Sequence, residues 1–390
     1  MRSLPVVTDT NDGQLRYVAG PASRRARIAA GVPAPLLLHR RGVRLGWVLP
    51  TIQSKSRPDT ELRARWQAGA PVPLPGLLRD LLPAFRREIR ASERLMKRVI
   101  EGADGAALLS RAPYRTRLAP HFEMLASYCN EGDLQEIATI EFDAVRGKRS
   151  LAENLWVKLA WLSLEPGDAS MRFRFSFGIA DCDDVAADLP RQRWAAKLAE
   201  AVFPESVIIT ANRPLKARLR RILGIAAMDF LERIVYFNAP GGGAQFHHDV
   251  ERGHLGVIFA QLTGRTAWFA LAKPVLVEEL RRFLRGPEGQ AEVRRLLRGS
   301  AEQALVLRQA RNRRSLAAYL DARDNDPVER IINRSPLFAR QLLENGHGFA
   351  LSPGDVLLLP QADFDACCWH SVFCLDDQPG EALSFAIRAR

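Results

Sequence analysis

The chain has 390 residues, enough for one large domain or two. An apolar fraction of 47% supports a sizeable core, and no apolar run reaches the roughly 18 residues a membrane-spanning helix needs. A formal charge of +12 favours acidic partners, but the sequence has neither zinc-finger spacing nor an RNP-like aromatic strand, so nucleic acid is not the favoured one.

The start, Met1-Arg-Ser-Leu-Pro-Val-Val-Thr-Asp9, lacks the long apolar core of a signal peptide, and we expect a cytoplasmic protein. Five cysteines at irregular spacing argue against a disulfide framework; the adjacent Cys367 and Cys368 read as small buried residues. Val43-Arg-Leu-Gly-Trp-Val-Leu49 alternates and predicts a strand. Gly76 to Glu101 reads as a basic helix, with Leu77, Leu78, Leu81, Leu82 and Phe85 at helical spacing. Leu155 to Leu164 and Met171 to Phe177 read as an antiparallel strand pair around a Pro166-Gly-Asp turn. The second strand places Arg172 and Arg174 on one face, which would bind an acidic substrate if it opened into the active site; we favour a solvated face. Leu189 to Phe203 predicts a helix and Ser206 to Thr210 a short strand. After Pro274, helices are expected at Val277–Leu284, Ala291–Leu297, Ala301–Gln309 and Val328–Leu343.

The chemistry concentrates in Phe246-His-His-Asp249 and Trp369-His370. Two imidazoles and one carboxylate are the ligand set of a mononuclear non-haem Fe(II) site, which leaves metal positions open. If residues 246 to 250 are extended, His247 and Asp249 point one way and His248 the other. The third ligand has to come from another strand, and His370 lies in the candidate strand Cys368 to Cys374. His254 reads as a loop or strand-start residue rather than a ligand.

The flanking motifs resemble the JmjC and cupin-like 2-oxoglutarate oxygenases. Ile234-Val-Tyr-Phe-Asn-Ala-Pro-Gly-Gly-Gly-Ala-Gln-Phe246 is similar to the strand and Gly-rich turn before their first ligand. Gln261, Gly264 and Trp268 match a "QxxGxxxW" strand-turn-strand, and Leu351-Ser-Pro-Gly-Asp-Val-Leu-Leu-Leu-Pro360 matches the "PGD" turn before their last ligand. The resemblance covers about residues 230 to 273 and 349 to 390. It implies a mixed α+β fold: a double-stranded β-helix (jelly-roll or cupin-type barrel) with flanking helices and a helical insertion. The expected organisation is a mostly helical region over 1–110, the first part of the barrel over 111–273, a helical insertion over 274–347 and the final strands over 348–390. The insertion separates Asp249 from His370 by about 120 residues and is expected to serve as lid or homodimer contact. Its arginine clusters, Arg281-Arg282, Arg294-Arg295 and Arg311-Asn-Arg-Arg314, are candidate substrate contacts.

The same resemblance implies Fe(II), 2-oxoglutarate as co-substrate and O2, with His247, Asp249 and His370 as catalytic metal ligands. The family's co-substrate lysine is replaced here by Thr266, so the carboxylate needs another cation. Arg388 is the leading candidate, with Thr266, Tyr236 and Ser384 as further co-substrate contacts and Lys273 and Arg265 as weaker cations. The expected reaction is hydroxylation of a C–H bond in an amino-acid side chain of a protein, peptide or peptide-like small molecule. Two alternatives are a metal-dependent cupin enzyme that does not use 2-oxoglutarate and an RNA- or tRNA-directed oxygenase or nucleic-acid-binding protein.

Overall fold

Alternation decides which strand faces are buried, and the buried faces decide what stacks on what. The computed structural model describes residues 36–40, 43–47, 57–130, 133–162, 168–178, 187–240, 242–251, 253–322, 325–376 and 379–390. The reading of the N-terminal start lies outside these residues, as does part of the turn at Pro166. In chain order the strands are β1 (Leu36–Arg40), β2 (Val43–Trp47), β3 (Val72–Leu74), β4 (Phe122–Tyr128), β5 (Glu136–Arg146), β6 (Arg149–Trp161), β7 (Met171–Phe177), β8 (Met228–Asn238), β9 (Gly243–His247), β10 (Gly256–Gln261), β11 (Thr266–Ala272), β12 (Gly348–Leu351), β13 (Val356–Pro360), β14 (Cys368–Cys374) and β15 (Gly380–Ala389). With helices between them, the fold is mixed α+β.

β1 and β2 form a hairpin. The main architecture is a nine-stranded sheet, ordered β3-β13-β10-β15-β8-β7-β6-β5-β4, and a four-stranded sheet, ordered β12-β11-β14-β9. β3 joins the larger sheet through β13, so the segment before residue 110 contributes to the same sheet as the C-terminal strands.

Layering explains the composition of each strand. Met171, Phe173, Phe175 and Phe177 of β7 are buried on the outer face, where Phe203 closes on Phe173 at 5.1 Å and on Phe175 at 5.9 Å. The helix Leu189–Val202 covers this face. On the inner face, Phe259, Leu357 and Leu359 of the larger sheet meet Trp268, Ala270 and Val372 of the smaller one. The far side of the smaller sheet supports the helices between Lys273 and Glu344, with Phe246, Phe269 and Leu271 packed against Leu276, Leu280 and Phe338. β11 is thus covered on both faces, which is why Thr-Ala-Trp-Phe-Ala-Leu-Ala reads as a continuous apolar run. Each fully buried Phe or Leu contributes about 1.5–3 kcal/mol.

Three sequence expectations are corrected. Ser206–Thr210 is not a strand: Pro204–Ser206 is a 3-10 turn and Val207–Thr210 a helical turn, with the adjacent Ile208 and Ile209 both buried. Two neighbouring residues facing one core suit a helix and not a pleat. Gly76–Glu101 is not one helix. A 3-10 segment, Arg79–Phe85, contains Pro83, and the α-helix is Arg86–Ile100, buried through Ile89, Leu95, Met96 and Val99. Of the apolar residues chosen for that helix, only Leu78 is buried. Val328–Leu343 is two helices, Asp326–Arg334 and Pro336–Glu344, because Pro336 lacks the N–H a continuous helix needs and the Ser335 hydroxyl caps the second by accepting from Phe338 N at 3.1 Å.

Two carboxyls sit in the outer core. Glu205 and Glu381 are fully buried beside each other, and the Ser92 hydroxyl donates to Glu205. Burial, reinforced by each other's charge at Glu381, raises both above the ordinary carboxylate range. The folded state therefore holds a proton that the unfolded chain releases above about pH 4.5, and stability falls as pH rises beyond that point. Glu381→Gln keeps a donor toward Glu205 without an ionisable proton. It should raise the melting temperature at pH 8 and change it much less at pH 5, as calorimetry at the two pH values would read.

Candidate metal centre

β9 and β14 pair antiparallel with His247 opposite His370. Their rings lie 4.3 Å apart between centroids. β9 ends at His247, and the chain remains open through Asp249, whose carboxylate turns toward both rings. Asp249 Oδ1 is 3.5 Å from His247 Nε2, and Oδ2 is 3.5 Å from His370 Nε2. One ligand atom from each residue falls within 4.8 Å of the others. His248 points away and packs edge-on against Trp369 and Phe364.

Backbone carbonyls orient both imidazoles. His247 Nδ1 lies 2.7 Å from the Gln245 carbonyl, and His370 Nδ1 lies 3.3 Å from the Cys368 carbonyl. Donation from Nδ1–H leaves the Nε2 lone pair facing the shared point. Gln361, fully buried, links the two ligand segments: its carbonyl accepts from Asp249 N at 3.2 Å and its amide donates to Cys368 O at 2.8 Å. Trp268 stacks on His370 at 5.7 Å. Burial and the neighbouring His247 push His370 down to about 4, so it is a neutral ligand at physiological pH. Burial pushes Asp249 up, but His370, His247, His248 and Arg172 together outweigh it and hold the carboxyl below its usual range. Both groups are in the protonation state a cation requires.

The three residues open into a cavity of about 510 Å³ between the sheets. Phe259, Trp268, Leu359 and Val372 form apolar walls; Tyr236, Asn238, Ser384 and Arg172 supply polar groups. Asn238 is 1% exposed, and neither atom of its amide has a hydrogen-bond partner among the described residues. Burial, added to by the Asp249 charge and opposed by Arg172, pushes the Tyr236 hydroxyl up to about 12.

Among the residues expected to contact a co-substrate, Tyr236 and Ser384 line this cavity, whereas Thr266 and Arg388 do not. Thr266 is fully buried, its hydroxyl donating to Gln261 Oε1 at 2.8 Å and accepting from Trp268 Nε1 at 2.9 Å. That network, with Gly264 at φ +65° closing the turn against Gly380, accounts for the QxxGxxxW spacing. Arg388 shares a strand face with Ser384 but sits near the far end of β15, opposite Asp229 and close enough to His254 to affect it. Arg265 pairs with Asp376 at 2.6 Å and Lys273 with Asp321 at 2.5 Å, so neither supplies the cavity. His254 belongs to a separate cluster with Glu232 and Glu251, where Arg174 pairs with Glu232.

The cation lining the cavity is Arg172, for which the sequence reading favoured solvent over the active site. β7 continues the larger sheet beside β8, and the register sets Arg172 opposite Tyr236. Gln361 and Asn238 were missed, and for Arg172 the solvated reading was favoured over the active-site one. The signal for Arg172 was its place on one face of a cleanly alternating strand; the direction of that face was not legible. Some arginines of the insertion's clusters have acidic partners on their own helices. Arg281, Arg282 and Arg295 pair with Glu278, Glu279 and Glu292 one turn earlier on their own helices.

No family model matches the chain, and no curated protein matches it. Solved structures do. One is described as an oxidoreductase of the 2OG-Fe(II) oxygenase family from Burkholderia pseudomallei, at 9% identity and TM-score 0.29, covering 87% of this chain and 95% of its own. Another is YcfD, a ribosomal oxygenase from Escherichia coli, at 13% identity and TM-score 0.22, covering 72% of this chain and 44% of its own. Both are oxygenases by description. TM-scores this low carry no inference about this chain's chemistry, which its own residues must supply. Among the described residues, no helix is long and apolar enough to cross a membrane.

Gln361→Ala removes the brace between the two ligand segments and should weaken Co(II) binding about 10–100-fold. His248→Ala, outside the ligand set and its bracing hydrogen bonds, should weaken it much less. Visible Co(II) absorption during titration reads both.

Proposed function

We propose that the chain is an Fe(II)- and 2-oxoglutarate-dependent oxygenase that hydroxylates an amino-acid side chain of a protein, peptide or peptide-like small molecule. In this reading the two facing sheets, with β8-β15-β10-β13 opposite β9-β14-β11-β12, are a double-stranded β-helix. The observation that carries it is the convergence of two imidazole Nε2 atoms and one ionised carboxylate on one point, at one end of the cavity. This donor set suits Fe(II) and leaves coordination positions free.

The cavity also fits a dicarboxylate. Arg172 provides the cation, and Tyr236, Asn238 and Ser384 provide hydrogen bonds. The unpartnered Asn238 amide is the main sign that a polar ligand completes this wall, since a buried amide without partners is costly. Arg172 thus takes the role expected of Arg388. When bound, iron and 2-oxoglutarate supply dioxygen activation, with one oxygen atom going to succinate as carbon dioxide leaves and the other to the substrate C–H bond. The chain's own residues orient and exclude. His247, Asp249 and His370 fix one face of the metal, Trp268 holds the His370 ring, and the apolar walls keep water from the reacting bond. Gln245 and Glu329 line both this cavity and an adjoining groove of about 240 Å³ under the helix Asp326–Arg334. Two concavities that share lining residues suit an extended substrate that places one side chain at the metal.

The test is an anaerobic titration with Fe(II) and then 2-oxoglutarate, followed by the visible charge-transfer band of the chelate. The band should form in the native chain and vanish in His247→Ala. Arg172→Ala should weaken 2-oxoglutarate about tenfold or more, as loss of a buried charge partner does, with little change in Arg388→Ala. Iron binding without a band would overturn the co-substrate assignment and favour a metal-dependent cupin enzyme of another kind.

A further inference from the structure

A second concavity, of about 440 Å³, lies on the outer side of β8 between the helices Leu189–Val202 and Arg213–Leu223. Arg213, Lys216 and Arg220 reach it from the second helix, at a spacing that places them along one side. Arg193 enters from the first helix, Arg233 from β8 and Arg390 from beyond β15. Two carboxylates stand against these six cations. Glu200 pairs with Arg233 at 2.9 Å, and Asp229 pairs with Arg390 at 3.0 Å. Arg193, Arg213, Lys216 and Arg220 have no carboxylate at ion-pair distance among the described residues.

Arg233 is the built part of the groove. It is 9% exposed and lies over the Phe385 ring. Its Nη1 donates to Ala196 O and to Glu200, while its Nε finds no acceptor among the described residues. Burial lowers the proton affinity of both Arg233 and Lys216, and the Arg233 charge lowers that of Lys216 further. Cations gathered in one groove repel one another, and a bound anion relieves that cost. A single carboxylate would leave most of them unanswered. Phosphate oxygens, several to each group, match guanidinium forks and an ammonium together.

We propose that this groove binds a phosphate-bearing anion of at least two negative charges, either a free diphosphate or the phosphodiester chain of a nucleic acid. The site is separate from the metal cavity, to which Tyr236 and Asn238 project from the inner side of the same strand. It stands whether or not the oxygenase reading does.

The experiment is calorimetric titration of the full chain with inorganic pyrophosphate, at constant ionic strength and without added divalent metal. A parallel titration uses a single-stranded RNA lacking terminal phosphates. At least one should bind saturably, and Arg213→Ala with Lys216→Ala should weaken it about tenfold or more. These positions are exposed or half-buried, so the unliganded melting temperature should hold; Arg193→Gln, also exposed, is the second variant if it does not. Pyrophosphate binding alone identifies a free diphosphate as the ligand type. RNA that displaces pyrophosphate, with affinity falling steeply in salt, identifies the backbone. The proposal is overturned if neither ligand binds. It also fails if the double variant binds as tightly as the native chain, or if Arg172→Ala abolishes binding that the double variant retains.

Discussion

The pairing of β9 with β14 is the constraint on which the centre depends. It sets His370 directly across from His247, two residues far apart in the chain, and places Asp249 just past the strand end. A slip of one residue would turn His370 to the helical side of the smaller sheet and bring Trp369 or Ser371 into its place. Register is held by burial on both faces of β14, where every residue from Cys368 to Cys374 is inaccessible, and by Gln361 bonding both ligand segments.

The larger sheet supplies what the smaller one cannot. β8, β10 and β15 give the cavity its far wall, and β7, the strand beyond β8, supplies its cation. Because β7 is an interior strand, its outer face bears the phenylalanine row on Phe203 and its inner face is free to present Arg172. The same division runs through β8, whose outer residues floor the basic groove and whose inner residues line the metal cavity. One strand thus separates the metal cavity from the basic groove.

The helices from Lys273 to Glu344 cover the back of the smaller sheet, making β11 and β14 two-sided core strands. Several of their arginines are answered by acids on the same or neighbouring helices, such as Arg330 with Glu302 at 2.8 Å. A second group of basic side chains gathers where helices of the outer layer meet β8.

Local pattern determined a good deal. Period-two alternation in Met171–Phe177, the continuous apolar run at Thr266–Ala272 and the Pro274 break are properties of consecutive residues, and they mark strands and boundaries without reference to the rest of the chain. The choice of His247 over His248 followed from alternation across three residues. Other features required the tertiary structure. Whether the Arg172 face meets solvent or a cavity depends on β8 and the smaller sheet, and whether Arg388 reaches the metal depends on how far β15 runs past Ser384. Thr266 stands in a motif position but is engaged by Gln261 and Trp268. Gln361 gives no local sign that it will bridge Asp249 and Cys368. The sequence by itself determined the donor types and the strands that carry them, because side-chain chemistry and backbone periodicity are local. Only the tertiary structure decided which cation, amide and hydroxyl share the donors' cavity, because that depends on register and layering between strands distant in the chain.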